Sequence, residues 1–213
     1  MLEPSVNPFS TKFWIPGEIP YQFGEEGWDI DVLIGKMMVP AMTVPAMAVP
    51  VMQIVGQHGS GKSTLLRTIQ QRFEQQHLAT RLEVLNDRQQ TLPPDFLPLR
   101  QDTTLYMIDG YEQLAFLERV RLRFRNWRRT GGLLLTTHQP VSGIPILYRT
   151  TPQFELFVKL VQHLTKTQPV SFGTTELRDI FDRASGNFRT AFFELYDMVQ
   201  EKKSGNKKMS PQA

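Results

Sequence analysis

The chain has 213 residues, of which 40% are apolar and 21% charged, and its formal net charge is +3. This length and composition predict one medium-sized globular domain with a small appendage, and the modest charge does not by itself indicate a nucleic-acid-binding protein. Because there is no cysteine, and because the histidines at 58, 77, 138 and 163 lack close paired spacing, disulfides, thiolate metal sites and zinc sites are excluded.

Residues 1–36 form a segment rich in aromatic residues and prolines ahead of the first predicted strand. The segment has neither the basic start nor the apolar core of a secretory signal peptide, so we expect a cytoplasmic protein. Phe13, Trp14, Tyr21 and Phe23 stand out in it. Burial of aromatic rings alone would explain them, which favours a strap that covers a sheet edge or the core.

Residues 39–53 repeat a five-residue unit three times, as VPAMT, VPAMA and VPVMQ. Each proline removes a helical hydrogen bond, so we expect an extended connector over residues 37–50 and no membrane-spanning helix in this uncharged stretch. A methionine-rich docking surface is the alternative interpretation.

Residues 56–63, GQHGSGKS, match the phosphate-binding pattern G-x-x-x-x-G-K-[ST] at every fixed position. An apolar run at 51–55 precedes them and apolar residues at helical spacing follow, which predicts strand, glycine-rich loop and helix. Lys62 should reach the terminal phosphates of a nucleotide, and Ser63 should place its hydroxyl on Mg²⁺. The predicted nucleotide-binding residues are Gly56, Gln57, His58, Gly59, Ser60, Gly61, Lys62, Ser63 and Thr64.

Three further strands are predicted, over residues 81–86, residues 103–109 and the apolar run within GGLLLTTHQP at 131–140. Asp109 ends the second of these and is the predicted acidic partner of Mg²⁺. Thr136, Thr137 and His138 end the third, although His138 could instead be a turn residue before Pro140. Because ligands of open α/β sheets lie beyond the carboxyl ends of the strands, these polar groups should converge on the nucleotide.

A helix is predicted over residues 112–130, with Phe116, Val120, Phe124 and Trp127 on one face. Arginines 121, 125 and 128 share another face. This basic face is either simply solvated or a contact for nucleic acid or a neighbouring subunit.

The C-terminal part is predicted to be helical, over residues 152–165 and then in two helices between 174 and 200 that are separated at Gly186 and Asn187. The lysine-rich residues 201–213 have the composition of a disordered tail. The predicted fold is a three-layer α/β P-loop fold with a central parallel sheet, in which residues 51–151 form the core and residues 152–200 a small helical lid.

This order of parts resembles the AAA+ ATPases: Walker A, a second strand, Walker B, a strand with a polar sensor, and a helical lid. Residues 184–191, ASGNFRTA, look like the sensor 2 region of clamp-loader and origin-recognition-type members. Asn187 stands where the family has aspartate, and Arg189 matches the arginine that approaches the γ-phosphate. The resemblance also makes the N-terminal aromatic residues candidates for adenine contacts. Without it, the same stretch would indicate only helix capping.

One departure from the family concerns hydrolysis. In AAA+ proteins a glutamate that orients the attacking water directly follows the Walker B acid, but here Gly110 follows Asp109, and the next acid is Glu112. Glu112 is therefore either a displaced water-orienting residue or the start of a helix, since its spacing from Asp109 is like that of a capping box. The catalytic candidates are Lys62, Asp109, Glu112, His138 and Arg189, and we expect slow turnover.

The sequence thus predicts a switch that binds ATP and Mg²⁺ between sheet and lid, and whose lid position reports the γ-phosphate to a partner. A protein partner or self-association is expected. ATP is favoured over GTP because the chain has no Asn-Lys-x-Asp stretch. A nucleic-acid-binding regulator and a small-molecule or nucleoside kinase are the alternatives.

Overall fold

The computed structural model describes residues 7–13, 17–24, 26–43, 51–96, 104–126, 132–166, 168 and 170–208. Within these ranges the helices are α1 (Ile30–Thr43), α2 (Lys62–Gln75), α3 (Phe116–Asn126), α4 (Phe154–Thr165), α5 (Thr174–Arg183) and α6 (Phe188–Lys208), with a short 3-10 turn at Tyr111–Gln113. The strands are β1 (Val51–Gly56), β2 (Thr80–Val84), β3 (Leu105–Asp109), β4 (Leu133–Thr137) and β5 (Ile146–Thr150).

The five strands form one parallel sheet in the order β2-β3-β4-β1-β5. In register, Ile54 of β1 faces Thr136 of β4, and Ile108 of β3 faces Leu135 of β4. The carboxyl ends of β3, β4 and β1 therefore lie side by side, and each ends in a segment predicted to carry site residues. The predicted α/β class with a central parallel sheet is confirmed.

Apolar side chains cover both faces of the sheet, as a parallel sheet between helices requires. Met107 and Leu134 pack on one face with Leu65 and Ile69 of α2. Their chain neighbours Tyr106, Ile108, Leu133 and Leu135 pack on the other face with Leu122 of α3. This alternation at every second residue produces the three layers.

The C-terminal helices α4 to α6 pack around a hydrophobic cluster of their own. Phe157 is fully buried, and its ring centroid lies 5.7 to 5.8 Å from those of Phe181, Phe188 and Phe192. Phe9 from the N-terminal segment is also buried in this cluster. Burying a phenylalanine of this kind contributes about 1.5–3 kcal/mol, so the three helices are held together by aromatic packing.

Two segments are more helical than the sequence predicts. Helix α1 extends to Thr43, so the first VPAM unit is helical rather than extended, and residues 44–50 lie outside the described part of the chain. Helix α6 continues to Lys208, which corrects the predicted disorder of residues 201–208, and residues 209–213 lie outside the described part. No helix in the described ranges combines the length and apolarity needed to cross a membrane.

The predicted helix 112–130 is wrong at its start. After Gly110, at a left-handed φ of 81°, the chain makes one 3-10 turn, and Leu114 is extended before α3 begins at Phe116. Its predicted apolar face is also wrong, because Phe116 is 75% exposed and Val120 37% exposed, whereas Leu122 is buried. The side chain of Phe124 and all of residue 127 lie outside the described part.

Candidate functional site

Two glycines in the loop between β1 and α2 adopt backbone conformations that other residues rarely adopt. Gly59 and Gly61 have φ angles of 69° and 93°, in the left-handed region where a side chain is strained. Gly61 directly precedes Lys62, the first residue of α2. The first turn of α2 therefore offers backbone N–H groups at the end of the sheet, an arrangement suited to phosphate.

Strand β5, which sequence analysis missed, fixes this loop from its other side. The hydroxyls of Ser60 and Thr150 are hydrogen-bonded at 2.6 Å, and Ser60 also donates to the carbonyl of Gln57 at 2.8 Å. The signal that could have found β5 is the short run ILYRT, between prolines 145 and 152. Thr150 is thus a site-supporting residue that only the fold identifies.

Lys62 lies in the cleft with two carboxylates. Its ammonium donates to the backbone carbonyls of Gly56 and Gln57, each at 2.7 Å. Burial lowers the pKa of Lys62, while the negative charges of Glu112 and Asp109 act in the opposite direction. An ammonium has three N–H donors, so one remains for an anion in the cleft.

Asp109 is held in place by the neighbouring strand. The hydroxyl of Thr136 donates to Asp109 Oδ1 at 2.6 Å and accepts from the backbone N–H of Gly110 at 2.8 Å. Thr136 is fully buried. The predicted convergence of Asp109 with the end of β4 is present, and it fixes both the carboxylate and the turn that follows it.

Glu112, His138 and His58 form a second polar group in the same cleft. His138 Nδ1 lies 2.9 Å from Glu112 Oε1, and the ring centroids of His138 and His58 are 3.7 Å apart. The other oxygen, Glu112 Oε2, is buried and accepts no hydrogen bond from the described residues. Burial and the charge of Lys62 lower the pKa of His138, although Glu112 opposes them. At neutral pH the imidazole is therefore uncharged and donates its Nδ1 proton to the carboxylate.

The C-terminal helices reach the loop through Asn187. Its Oδ1 accepts from the backbone N–H groups of Arg189 and Thr190, at 3.0 and 3.2 Å, and so caps α6. The same oxygen would lie 1.9 Å from a Cβ added at Gly59. Arg189 is exposed and lines the cleft. Asn187 therefore caps the helix, as the helix-capping interpretation predicts. Arg189 also lines the cleft.

Of the predicted N-terminal aromatic residues, Tyr21 and Phe23 pack on the core, whereas Phe13 is 42% exposed. Tyr21, Phe23 and Trp28 make edge-to-face contacts with Tyr148 of β5, at centroid distances of 6.1, 5.4 and 5.0 Å. Tyr21 also lines the cleft, where its ring would lie 2.9 Å from a Cβ at Gly61. The structure thus supports the strap interpretation and leaves Tyr21 as the one aromatic side chain of that predicted set that lines the cleft. Trp14 lies outside the described residues.

These groups surround a cleft of about 620 Å³ between the sheet and the C-terminal helices. The cleft is lined by loop residues 58–64 and by the predicted Asp109, Glu112, His138 and Arg189. Residues 19–22 and the apolar side chains of Leu156, Leu160 and Phe192 also line it. Gly56 and Gln57 belong to the motif but do not line the cleft. Their backbone carbonyls accept hydrogen bonds from Lys62 and Ser60 and so stabilise the loop.

The donor set suits a Mg²⁺ ion that is bound together with phosphate. Ser63 and Asp109 both line the cleft, and they supply a hydroxyl and a carboxylate oxygen. Among the described residues, no three His, Asp or Glu side chains meet in a metal-binding arrangement. Mg²⁺ commonly takes one or two protein ligands and completes its shell with phosphate oxygens and water. The residues present therefore fit a Mg²⁺ ion that is bound together with phosphate. The described residues do not form a metal site without it.

Comparison with known proteins gives a fold and no sequence family. No family model matches the chain, and no curated protein matches it in sequence. Among solved structures, a mutant of Thermotoga maritima RuvB has a TM-score of 0.59 at 15% identity, over 87% of this chain and 65% of its own. Cdc6p from Pyrobaculum aerophilum has a TM-score of 0.61 at 15% identity, over 93% of this chain and 66% of its own.

A third similar structure, Drosophila ORC bound to DNA, has a TM-score of 0.56 at 14% identity, over 83% of this chain and 56% of its own. The chain spans less than two thirds of the length of the matched RuvB chain. At 14–15% identity, the likeness to these structures shows a shared α/β fold with a central parallel sheet.

Proposed function

We propose that this protein is an ATP-binding conformational switch, in which ATP and Mg²⁺ bind between the sheet and the helical lid. The observation that carries this proposal is the contact between Gly59 of the phosphate loop and Asn187 at the start of α6. A ligand that occupies the loop must act on the lid, because the two elements are already in contact. The likeness in fold to AAA+ ATPases supports nucleotide as that ligand.

The phosphates would lie against the first turn of α2. The backbone N–H groups of residues 61–64 and the ammonium of Lys62 are the donors that line this part of the cleft. Charge-assisted hydrogen bonds to phosphate are about twice as strong as neutral ones, so Lys62 would contribute much of the binding free energy. Its present bonds to the loop carbonyls keep it beside the cleft before phosphate arrives.

Mg²⁺, when bound, would neutralise phosphate charge and hold the terminal phosphate in line for transfer. Ser63 and Asp109 would be its protein ligands. Thr136 keeps Asp109 oriented by its hydrogen bond to Oδ1, which leaves Oδ2 for the ion or for a water in its shell.

The base would lie against the apolar side chains of the cleft. Residues 19–22 of the N-terminal strap and Leu156, Leu160 and Phe192 of the lid are among the residues that line it. Such a surface suits a purine ring, and the backbone N–H and C=O groups of the strap can form hydrogen bonds with the edge of the ring. Because strap and lid both contribute, base binding would draw the lid toward the core.

Hydrolysis would depend on Glu112. Its Oε2 accepts no hydrogen bond from the described residues but is buried, so it would hold a water molecule only once the side chains around it move. Its spacing from Asp109 differs from that of the family, but the 3-10 turn at Tyr111–Gln113 brings it back into the cleft. Glu112 would thereby take the role of the glutamate that directly follows the Walker B acid in AAA+ ATPases, a position that Gly110 occupies here.

Titration of the purified protein with ATP, ADP and GTP, with and without Mg²⁺, tests this function. We expect Mg²⁺-dependent binding of ATP, weaker binding of GTP, and slow release of phosphate. Hydrogen exchange at the start of α6 should slow more with ATP than with ADP, because the lid responds to the terminal phosphate. Equal exchange in all nucleotide states would show that the protein binds nucleotide without acting as a switch.

A nucleic-acid-binding regulator remains the second candidate, on the strength of the exposed surface of α3. Phe116 and Leu117 are 75% and 78% exposed beside the exposed Arg121. Aromatic rings beside arginines suit stacking on unpaired bases. Arg119 does not belong to this surface, because it donates to the carbonyls of Glu112 and Leu114, each at 2.7 Å. Binding to DNA or RNA that weakens steeply with salt would favour this candidate.

A further inference from the structure

We infer that His138 is the general base of the proposed hydrolysis. Glu112 orients the imidazole and stabilises the positive charge that it acquires, rather than taking the proton itself. This inference rests on the proposed function. It assigns the proton-accepting atom, His138 Nε2, to a residue that the resemblance treats only as a sensor of nucleotide.

The first step is the tautomer of His138. Its Nδ1 faces Glu112 Oε1 at 2.9 Å, and the carboxylate oxygen is an acceptor, so Nδ1 carries the hydrogen. A neutral imidazole has a single N–H, so Nε2 then carries the lone pair. The carboxylate and the imidazole thus form a dyad, in which one group fixes the tautomer and the other can accept a proton.

The second step is which group is the better base near neutral pH. Imidazole has an ordinary pKa of about 6.5, and proton transfer is most efficient to a base whose pKa lies near the working pH. His138 remains neutral because burial and the charge of Lys62 lower its pKa. When the imidazole accepts a proton, the adjacent Glu112 stabilises the resulting positive charge, as the raising effect of Glu112 on this pKa indicates.

The third step is the surroundings of the ring. Four titratable groups face His138: Lys62 of α2, Glu112 of the 3-10 turn, Asp109 of β3 and His58 of the phosphate loop. The ring of His58 packs against that of His138, with an interplanar angle of 46°. His58 is therefore a positioning residue, which limits rotation of the imidazole and ties it to the loop that would hold the phosphates.

The reaction balances without any further reactant. A water oxygen forms a bond to the γ-phosphorus, and the bond from that phosphorus to the bridging oxygen breaks, leaving its electron pair on ADP. The water loses one proton to His138 Nε2, while Glu112, on the opposite Nδ1 side of the ring, stabilises the imidazolium that forms. The proton then passes from the imidazolium to phosphate or solvent, and His138 is neutral again.

Single-turnover hydrolysis by three variants tests the assignment. His138→Ala should reduce the rate by about 100-fold or more, the usual size of a general-base effect, while ATP affinity stays within about threefold of wild type. Added imidazole should restore about a tenth or more of the lost rate in His138→Ala, and nothing in Glu112→Gln. His163→Gln is the matched control, because this histidine is exposed on α4, and it should behave as wild type.

The pH dependence supplies a second readout. Because the pKa of His138 is lowered from its ordinary value of 6.5, the wild-type rate should fall only at a pH below that value, as the base becomes protonated, and this fall should disappear in His138→Gln. In Glu112→Gln it should move to lower pH, because the group that raises the pKa of His138 is lost. In the nucleotide-free protein, NMR of ¹⁵N-labelled histidine should show the Nδ1–H tautomer for His138 in wild type and a mixture of tautomers in Glu112→Gln.

The possible failures are distinct. Hydrolysis in His138→Ala within about threefold of wild type, or an Nε2–H tautomer by NMR, would overturn the inference and leave the switch intact. A wild-type protein that binds ATP and never hydrolyses it would remove the reaction, and the inference with it, while nucleotide binding stands. A wild-type protein that binds no nucleotide would refute the proposed function itself.

Discussion

The side-chain oxygen of Asn187 lies only 1.9 Å from the position that a Cβ on Gly59 would occupy, although Asn187 precedes α6 and Gly59 lies in the loop between β1 and α2. Glycine at 59 thus does two things. It allows the left-handed backbone of the loop, at a φ of 69°, and it leaves room for the cap of α6. The loop and the lid therefore share one tightly packed contact.

Gly59→Ala should weaken ATP binding by about tenfold or more, because the new methyl group must displace the lid as well as strain the loop. Gly143→Ala is the matched control. Its φ of 78° imposes the same backbone strain, but nothing lies within 4 Å of the added Cβ. Calorimetric titration with ATP compares the two, and we expect normal affinity in the control. If Asn187→Ala in the Gly59→Ala background recovers none of the lost affinity, the contact does not couple loop and lid.

Lys62→Ala should abolish ATP binding or weaken it by about 2–5 kcal/mol, since a charged hydrogen bond to phosphate is lost in a partly buried site. Circular dichroism should show an unchanged fold. Lys159→Ala, on the exposed side of α4, is the control and should bind as wild type. Wild-type affinity in Lys62→Ala would refute the assignment of the phosphate loop.

Asp109→Asn should remove most of the gain in ATP affinity that Mg²⁺ provides, because the carboxylate that approaches the ion is neutralised. Affinity measured in EDTA should change little, which separates the ion from the phosphates. The exposed Asp182 on α5 offers a control, as Asp182→Asn. An undiminished effect of Mg²⁺ in Asp109→Asn would assign the ion to other ligands.

Arg189→Ala should weaken ATP binding by about 1–3 kcal/mol and ADP binding much less, if its guanidinium reaches the γ-phosphate. The motivating observation is the place of Arg189 at the cleft, two residues after the cap of α6. Arg149→Ala, exposed on β5, controls for loss of positive charge. Equal weakening of both nucleotides would indicate general destabilisation of the lid, and no change would reduce this stretch to a helix start.

The folding stability should also depend on His138. Its pKa in the fold is lowered from an ordinary value of 6.5, so the unfolded chain binds a proton more readily. The contribution of His138 is therefore complete above pH 6.5 and is lost as the pH falls through its lower folded pKa. Urea unfolding at pH 7.5, 6 and 5 should show a smaller decrease for His138→Gln than for wild type. Identical decreases would show that the imidazole is not desolvated.

The sequence by itself determined what depends on neighbouring residues. Residues 56–63 specify the loop because the left-handed backbone at 59 and 61 and the helix start at 62 are local requirements, met by glycines and a lysine in a row. Asp109 could be placed because an apolar strand ends in an acid. Asn187 and Arg189 could be located at a helix start because they follow the break between two stretches of apolar residues at helical spacing, where a capping residue is expected.

The tertiary structure decided what depends on contacts between distant parts of the chain. Thr136 meets Asp109 across 27 residues only because β4 pairs with β3, and Thr150 meets Ser60 across 90 residues only because β5 pairs with β1. The pairing of Glu112 with His138 has the same origin, together with a 3-10 turn that no periodicity announces. Helix α3 was misplaced for a related reason, since its exposed Phe116 has the apolar character of a core residue and only the packing shows that Leu122 is buried instead. Local conformation is set by contiguous residues, whereas the order of strands in a sheet brings together side chains whose separation along the chain carries no signal.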